Sequence, residues 1–236
     1  MRVTLEPAYV LHGRSFRETS LLLEIFSRDY GRVGLVARGA RSKRSRWNNM
    51  LQPFRPLLLS WNQRGELGSL TAADQVASPP PARGKGLFCG LYVNELLMRG
   101  LHRSDPHPEL FESYRRLLGE LAATTQPEPV LRSFEKHLLD ALGFGLELEA
   151  EYGTGLPVRA DAFYVYLPDR GLARRDPEQD ERPDGKESRW VSGSALLALQ
   201  SNRVEEKHLA ELKQLMRRVL RHHLGNKPLV SQSLFQ

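Results

Sequence analysis

Ser78-Pro79-Pro80-Pro81 divides this chain into two parts with different periodicities. Three consecutive prolines offer no amide hydrogen and continue neither a sheet nor a helix, so the element before them must stop there. Ahead of them, apolar residues come in short runs rich in Val, Leu, Ile and aromatics, at 8–12, 20–26, 32–37, 54–61 and 67–71. That is the pattern of half-buried strands. Asp29-Tyr30-Gly31 and Asn62-Gln63-Arg64-Gly65 supply the glycine that a tight hairpin turn requires. Five strands with a longer insertion between the third and fourth predict an OB-type β-barrel over 1–78. An SH3-like barrel is the competing reading, because strand order is not visible in a sequence.

After the prolines the apolar period lengthens to that of a helix. Leu87, Phe88, Leu91, Leu96, Leu97 and Leu101 form one stripe, and Leu110, Phe111, Tyr114, Leu117, Leu118 and Leu121 a second. Pro127 and Pro129 open a third helix, with Val130, Leu131, Phe134, Leu138 and Leu142 on one face and Gly143 as its C-terminal cap. A last helix at 205–224 turns Leu209, Leu212, Met216, Val219 and Leu220 inward and shows Lys213, Arg217, Arg218 and Arg221 on its other face. The region 82–236 is therefore expected to be a helical bundle domain, and the fold class α+β, a barrel followed by helices. Residues 153–190 read as a small irregular insertion holding one strand at 162–167 and an acidic, Pro-rich tract at 176–187, expected to be a mobile surface loop.

Composition narrows the class. With 236 residues, 40% apolar and 26% charged, the chain reads as an ordinary soluble globular protein. No apolar run reaches the length of about 18 residues needed to cross a bilayer, and Met1-Arg2-Val3-Thr4-Leu5-Glu6 has no secretory hydrophobic segment. No membrane association is expected. The single cysteine, Cys89, can form neither an internal disulfide nor a thiolate cage and reads as a small buried hydrophobe, which points to the reducing cytosol.

Charge is distributed unevenly. Residues 1–77 hold twelve Lys/Arg against six Asp/Glu, so this third of the chain accounts for the whole net charge of +6. Five cations fall within the insertion alone, in Arg38-Gly39-Ala40-Arg41-Ser42-Lys43-Arg44-Ser45-Arg46, with no acid among them. Cations held that close repel one another unless an anion compensates them, and a phosphate backbone does so while releasing counterions. Arg38, Arg41, Lys43, Arg44 and Arg46 are the candidate nucleic-acid contacts, with Arg14, Arg17 and Arg32 as further members. Of the aromatics, Tyr9, Phe16, Tyr30, Phe54 and Trp61 are available for stacking, but most aromatics in so small a barrel must fill its core. Trp47, inside the basic insertion and under no evident demand to pack inward, is the candidate platform for stacking a base.

Catalytic signatures are missing. There is no Gly-x-x-x-x-Gly-Lys-Ser/Thr phosphate loop, Gly84-Lys85-Gly86 lacks the length and context of one, and no Gly-x-Ser-x-Gly elbow occurs. His102 and His107 bracket Asp105 and His222 adjoins His223, but neither pair has the i,i+4 spacing of a helical metal site. A binding protein without catalytic residues, metal or cofactor is expected.

A set of short segments follows in the order of one family. Tyr9-Val10-Leu11-His12, Glu18-Thr19-Ser20-Leu21-Leu22-Leu23, Gly31-Arg32-Val33, Arg38-Gly39-Ala40-Arg41, Leu51-Gln52-Pro53-Phe54 and Pro56-Leu57-Leu58 resemble the N-terminal domain of the RecO recombination mediator family. Leu91-Tyr92-Val93-Asn94-Glu95-Leu96, then Pro127 to Arg132 with Phe134-Glu135 and Leu142-Gly143, and finally His223-Leu224-Gly225-Asn226-Lys227-Pro228-Leu229 resemble its helical part. The resemblance covers nearly the whole chain and implies an OB-fold barrel before a helical domain. It implies a cytoplasmic, nucleoid-associated DNA-repair protein that binds single- and double-stranded DNA and anneals complementary strands. The implied partners are RecR and the single-stranded DNA-binding protein, with loading of the RecA recombinase as the outcome. Capture of the binding protein's acidic C-terminal tail calls for an apolar pocket with an arginine at its rim, and Arg132 beside Leu131 and Phe134 is the candidate. Two departures stand out. The four zinc-binding cysteines that many members carry near 153–190 are missing, so no zinc and a looser segment are expected there. Lys227-Pro228-Leu229 runs on into Val230-Ser231-Gln232 instead of into Lys-Ser-Arg. The basic loop by itself fits an RNA-associated OB-fold protein equally well, and a helical scaffold with an incidental basic loop is a third reading.

Overall fold

The computed structural model describes residues 1–47, 49–176 and 190–231. The acidic tract expected at 176–187 therefore falls, beyond Asp176, outside the described residues.

The first five strands are β1 (Arg2–Phe16), β2 (Ser20–Ser27), β3 (Gly31–Ala37), β4 (Leu57–Gln63) and β5 (Leu67–Gln75). They close into a barrel in the order β1-β2-β3-β5-β4, with β4 returning to β1. β3 and β5 run parallel and the other neighbours antiparallel. A fifth strand slotted between the third and fourth is the OB arrangement, which decides between the two small-barrel readings. The inward residues of each strand fill the middle: Val10, Leu23, Ile25, Leu35, Leu59 and Trp61 are all essentially inaccessible. β1 extends well beyond the expected 8–12 because it serves two neighbours. Its register shifts between Val3 and Glu6 and again between Val10 and His12, bulges that bend one strand around the barrel. Phe54, expected to begin the fourth strand, instead turns the chain with φ 68° and leaves the strand to start at Leu57.

Two helices, α1 (Lys85–Gly100) and α2 (Pro108–Ala123), form one compact unit with the barrel and with residues 229–231. The joint is specific. Asn94 Nδ2 of α1 donates to the Leu11 carbonyl at 2.9 Å, and the Tyr114 hydroxyl of α2 donates to Asn94 Oδ1 at 2.6 Å. Tyr9 meets Tyr114 edge-on at 5.2 Å, and Phe26 meets Phe111 at 5.4 Å. The connection between the helices lies against β3 so closely that a Cβ on Gly31 (φ 64°) would sit 1.9 Å from the Asp105 carbonyl oxygen, so only glycine fits there.

The second unit spans Gln126–Pro228. It holds α3 (Pro127–Ala141), a sheet in the order β7-β6-β8, α4 (Gly193–Gln200), a 3-10 turn (Glu206–His208) and α5 (Leu209–Leu224). The strands are β6 (Phe163–Leu167), β7 (Gly171–Arg175) and β8 (Trp190–Ser192). Gly143 closes α3 as expected: at φ 79° its amide donates to the Asp140 carbonyl at 3.1 Å, and the Phe144 amide to Leu139 at 2.8 Å. Phe134, Leu138, Tyr164, Leu196, Leu212 and Met216 lie in its interior. The stretch 153–190 differs from the irregular reading with one strand. A β6–β7 hairpin occupies its middle, and β8 leads into α4, whose N-cap Ser192 accepts from the Ala195 amide at 3.2 Å. Cys89 is buried, as expected of a small hydrophobe.

Candidate nucleic-acid interface

The connection from β3 to β4 carries the basic segment, and hydrogen-bonded turns hold it against one end of the barrel. Gly39 (φ 69°) lets the chain fold back, so that its carbonyl accepts from both the amide and the hydroxyl of Ser42, at 3.1 and 2.8 Å. The Ser45 amide donates to Ser42 and the Met50 amide to Trp47, at 3.1 and 2.7 Å. A second anchor ties the segment to the β1–β2 turn. The Arg41 amide donates to the Thr19 carbonyl at 2.8 Å, and Arg41 Nη1 reaches the Glu18 and Arg17 carbonyls at 3.3 and 3.5 Å. That turn arrives at the same end of the barrel because Leu21 pairs with Ala37 across β2 and β3.

Arg38, Arg41, Lys43, Arg44 and Arg46 are all exposed. Among the described residues none of the five has an ion-pair partner. Arg14 and Arg17 are exposed beside them, with the Arg17 guanidinium 5.3 Å from the centre of the half-buried Phe16 ring. An anion meeting this surface finds cations that no carboxylate of the barrel has already neutralised, with backbone held in place behind them.

Three of the candidate residues are placed differently from expectation. Trp47 packs inward: it is 4% exposed, belongs to the barrel core and donates from Nε1 to the Arg38 carbonyl at 3.1 Å. The Arg46 guanidinium covers its ring at 4.2 Å. A loop pulled into turns this tight needs an apolar foot, and the indole supplies one; Phe16, under the Arg17 guanidinium, is a half-buried aromatic beside the loop's anchor turn. Arg32 is committed within the fold: it donates to the Met98 carbonyl and lies 3.8 Å from Glu24, which also pairs with Arg103. Burial lowers the pKa of Arg32, with Glu24 opposing and Arg103 adding to that shift.

The third is Arg132. Its side chain is 9% exposed and pairs with Glu135, one turn on along α3, at 2.9 Å, and Leu131 and Phe134 are buried as well. The expected guanidinium at an open rim is instead a buried ion pair, because α3 is enclosed over a wider arc than its apolar stripe suggests. An open apolar groove does exist elsewhere, in the barrel unit. It measures about 280 Å³ and is lined by Tyr9, Phe54, Val76, Pro80, Leu87 and Leu118, among others, with Arg115 beside it. Arg115 is 62% exposed and pairs with Glu112 at 2.7 Å. On α5, Lys213, Arg217 and Arg221 form an exposed stripe at four-residue intervals.

The family description "Recombination protein O N terminal" matches residues 1–79, and "Recombination protein O C terminal" matches 82–233. Curated relatives align along the full length. The DNA repair protein RecO of Methylococcus capsulatus is 45% identical over 236 residues, covering 100% of this chain and 94% of the relative. That of Nitrosococcus oceani is also 45% identical, with the same coverage, and that of Azoarcus sp. is 42% identical, covering 100% of this chain and 96% of the relative. Among the described residues, no helix is long and apolar enough to cross a membrane.

Proposed function

The chain belongs to the RecO family of DNA repair proteins, and on that footing we propose that it is a non-enzymatic recombination mediator that binds DNA through the basic end of its barrel. The observation that carries this reading is the cluster of five exposed cations, without ion-pair partners among the described residues, on a hydrogen-bonded loop. Arg38, Arg41, Lys43, Arg44 and Arg46, with Arg14 and Arg17, neutralise phosphates along that surface. Screening the repulsion between two strands lets base pairing choose the partner strand, so the protein anneals without reading sequence. In this reading it works with RecR in the cytoplasm and helps RecA onto strands coated by the single-stranded DNA-binding protein. Annealing of such coated strands tests it directly. If all five loop cations engage single-stranded DNA, the logarithm of affinity should fall against the logarithm of salt with slope about −3.5, at about −0.7 per phosphate. Competition with matched RNA strands separates this from an RNA-associated role, since the 2′-hydroxyl is the only chemical difference the site could sense on the backbone.

Two places offer an arginine beside apolar side chains for the acidic tail of the coated strand's protein. At α3, the tail carboxylate would have to replace Glu135 on Arg132; at the groove, Arg115 is already at the surface. Loss of tail-peptide affinity in Arg132→Ala or in Arg115→Ala decides between them.

A further inference from the structure

Asp169 lies in the turn between β6 and β7, and His222 and His223 lie in the last turn of α5. The structure brings one ligand atom from each residue to within 4.8 Å of the other two. His222 Nε2 is 3.2 Å from Asp169 Oδ2. That separation is slightly shorter than the roughly 3.3–3.6 Å between two corners of a tetrahedron drawn with metal–ligand bonds of about 2.0–2.2 Å.

His223 is held in place for the same site. Its ring stacks on Phe144 at 4.3 Å with only 13° between the planes, and it meets His222 edge-on at 4.7 Å. Its Nε2 is buried without a hydrogen-bond partner among the described residues. Buried polar nitrogens are normally satisfied, so this imidazole keeps a ring nitrogen free to bind a ligand. Asp169 is fixed as well: it takes a left-handed backbone (φ 59°), and the Arg170 amide closes the turn onto the Leu167 carbonyl at 3.1 Å. The carbonyls ending α5 add the negative pole of the helix dipole, which favours a cation at that end.

Ligand chemistry selects the metal. Two imidazoles and one carboxylate suit borderline ions such as zinc, whereas calcium and magnesium require several oxygens that this site lacks. We propose that Asp169, His222 and His223 bind one divalent transition metal of the zinc type, with water completing the tetrahedron. The metal would clip the β6–β7 turn to the end of α5, two segments 53 residues apart in sequence.

The test uses the full-length protein without a polyhistidine tag, titrated with zinc by calorimetry and with cobalt by visible absorption. Wild type should take up one equivalent of zinc, give the absorption of tetrahedral cobalt and melt at a higher temperature with zinc. Asp169→Asn and His222→Gln, both at exposed positions, should each weaken zinc binding about tenfold or more, while His102→Ala should leave it unchanged. No zinc uptake by wild type, equal uptake by the two ligand variants, or an equal loss in His102→Ala would each overturn the proposal.

Discussion

The β3–β4 connection and helix α3 both present arginine next to apolar side chains, yet they put it to opposite uses. On the connection, Arg38, Lys43 and Arg44 are exposed with no ion-pair partner among the described residues, while Trp47 carries the apolar contact. On α3, Arg132 is turned inward and compensated by Glu135. A buried cation with its own acid one turn away is committed to the fold. A cation whose neighbours are all cations is available to a ligand. Motif likeness cannot separate the two, because the deciding quantity is which counter-charge the fold brings within reach.

Breaking the α3 pair should produce the largest effect, and on stability. Arg132→Ala leaves Glu135 buried without its guanidinium, and loss of one partner of a buried pair costs about 3–5 kcal/mol. Urea denaturation should register that loss, while affinity for naked DNA should be unchanged. Replacing both residues, as Arg132→Met with Glu135→Leu, should recover most of it. A variant Arg132→Ala as stable as wild type would place this arginine with the loop cations.

The converse holds on the loop. Reversing Arg38, Lys43 and Arg44 to Glu should cost at least a hundredfold in single-stranded DNA affinity, about 3 kcal/mol. The salt slope should shrink from about −3.5 toward about −1.4 as three phosphate contacts disappear. Arg41 is left alone in this variant because it also holds the β1–β2 turn, so the denaturation midpoint should stay put. An unchanged slope would remove the loop from the interface.

Phe16 gives a smaller and sharper test. It lies half-buried at the end of β1 with the Arg17 guanidinium over its ring, a place where a base could stack beside a cation. Phe16→Ala should lower single-stranded DNA affinity by about 1–3 kcal/mol per stacked base without altering the salt slope, since stacking releases no counterions. A change in slope with no change at high salt would mean that the ring merely positions Arg17.

These outcomes bear on how much a sequence discloses. The strands, the hairpin glycine at Gly31 and the cap at Gly143 were legible because each is a local demand on backbone geometry. The basic surface was legible because five cations in nine residues stay neighbours in any fold. Strand order was not, since β5 reaches β3 through parallel pairing that no local pattern encodes. Helix α4 carries no such signal, because Ala195, Leu196, Ala198 and Leu199 are all buried and a helix apolar on most sides shows no stripe. The roles of Trp47 and Arg32 depend on the Arg38 carbonyl and on Glu24, contacts visible only once β2 and β3 are in register. The Arg132–Glu135 pair had a signal that could have been used: i,i+3 spacing of opposite charges beside a fully apolar stripe.

The smallest expected effect concerns an acid that resembles Glu135 in being compensated but faces a backbone. Glu95 on α1 accepts from the Val230 amide at 3.0 Å and from the amide and hydroxyl of Ser231 at 2.9 and 2.7 Å, and pairs with Arg99 at 2.7 Å. Burial by itself would raise its pKa, but the Ser231 and Val230 donors and Arg99 together outweigh burial and hold it below the ordinary 4.5. A carboxyl depressed in the folded state stabilises above its unfolded pKa and loses that contribution as pH falls through the folded value. Val230 and Ser231, which lie where the resemblance called for a basic run, should therefore be held less tightly in acid than at neutral pH. Part of the Glu95 side chain is solvated, which limits the gain to on the order of 1 kcal/mol. Amide exchange at Val230 and Ser231 should accelerate as pH drops below about 4.5, after correction for the intrinsic rate. Glu95→Gln should show the faster exchange already at neutral pH and bind DNA as wild type does. Exchange that stays protected in acid would mean that the apolar surroundings of Ser231, and not the Glu95 charge, hold this end of the chain.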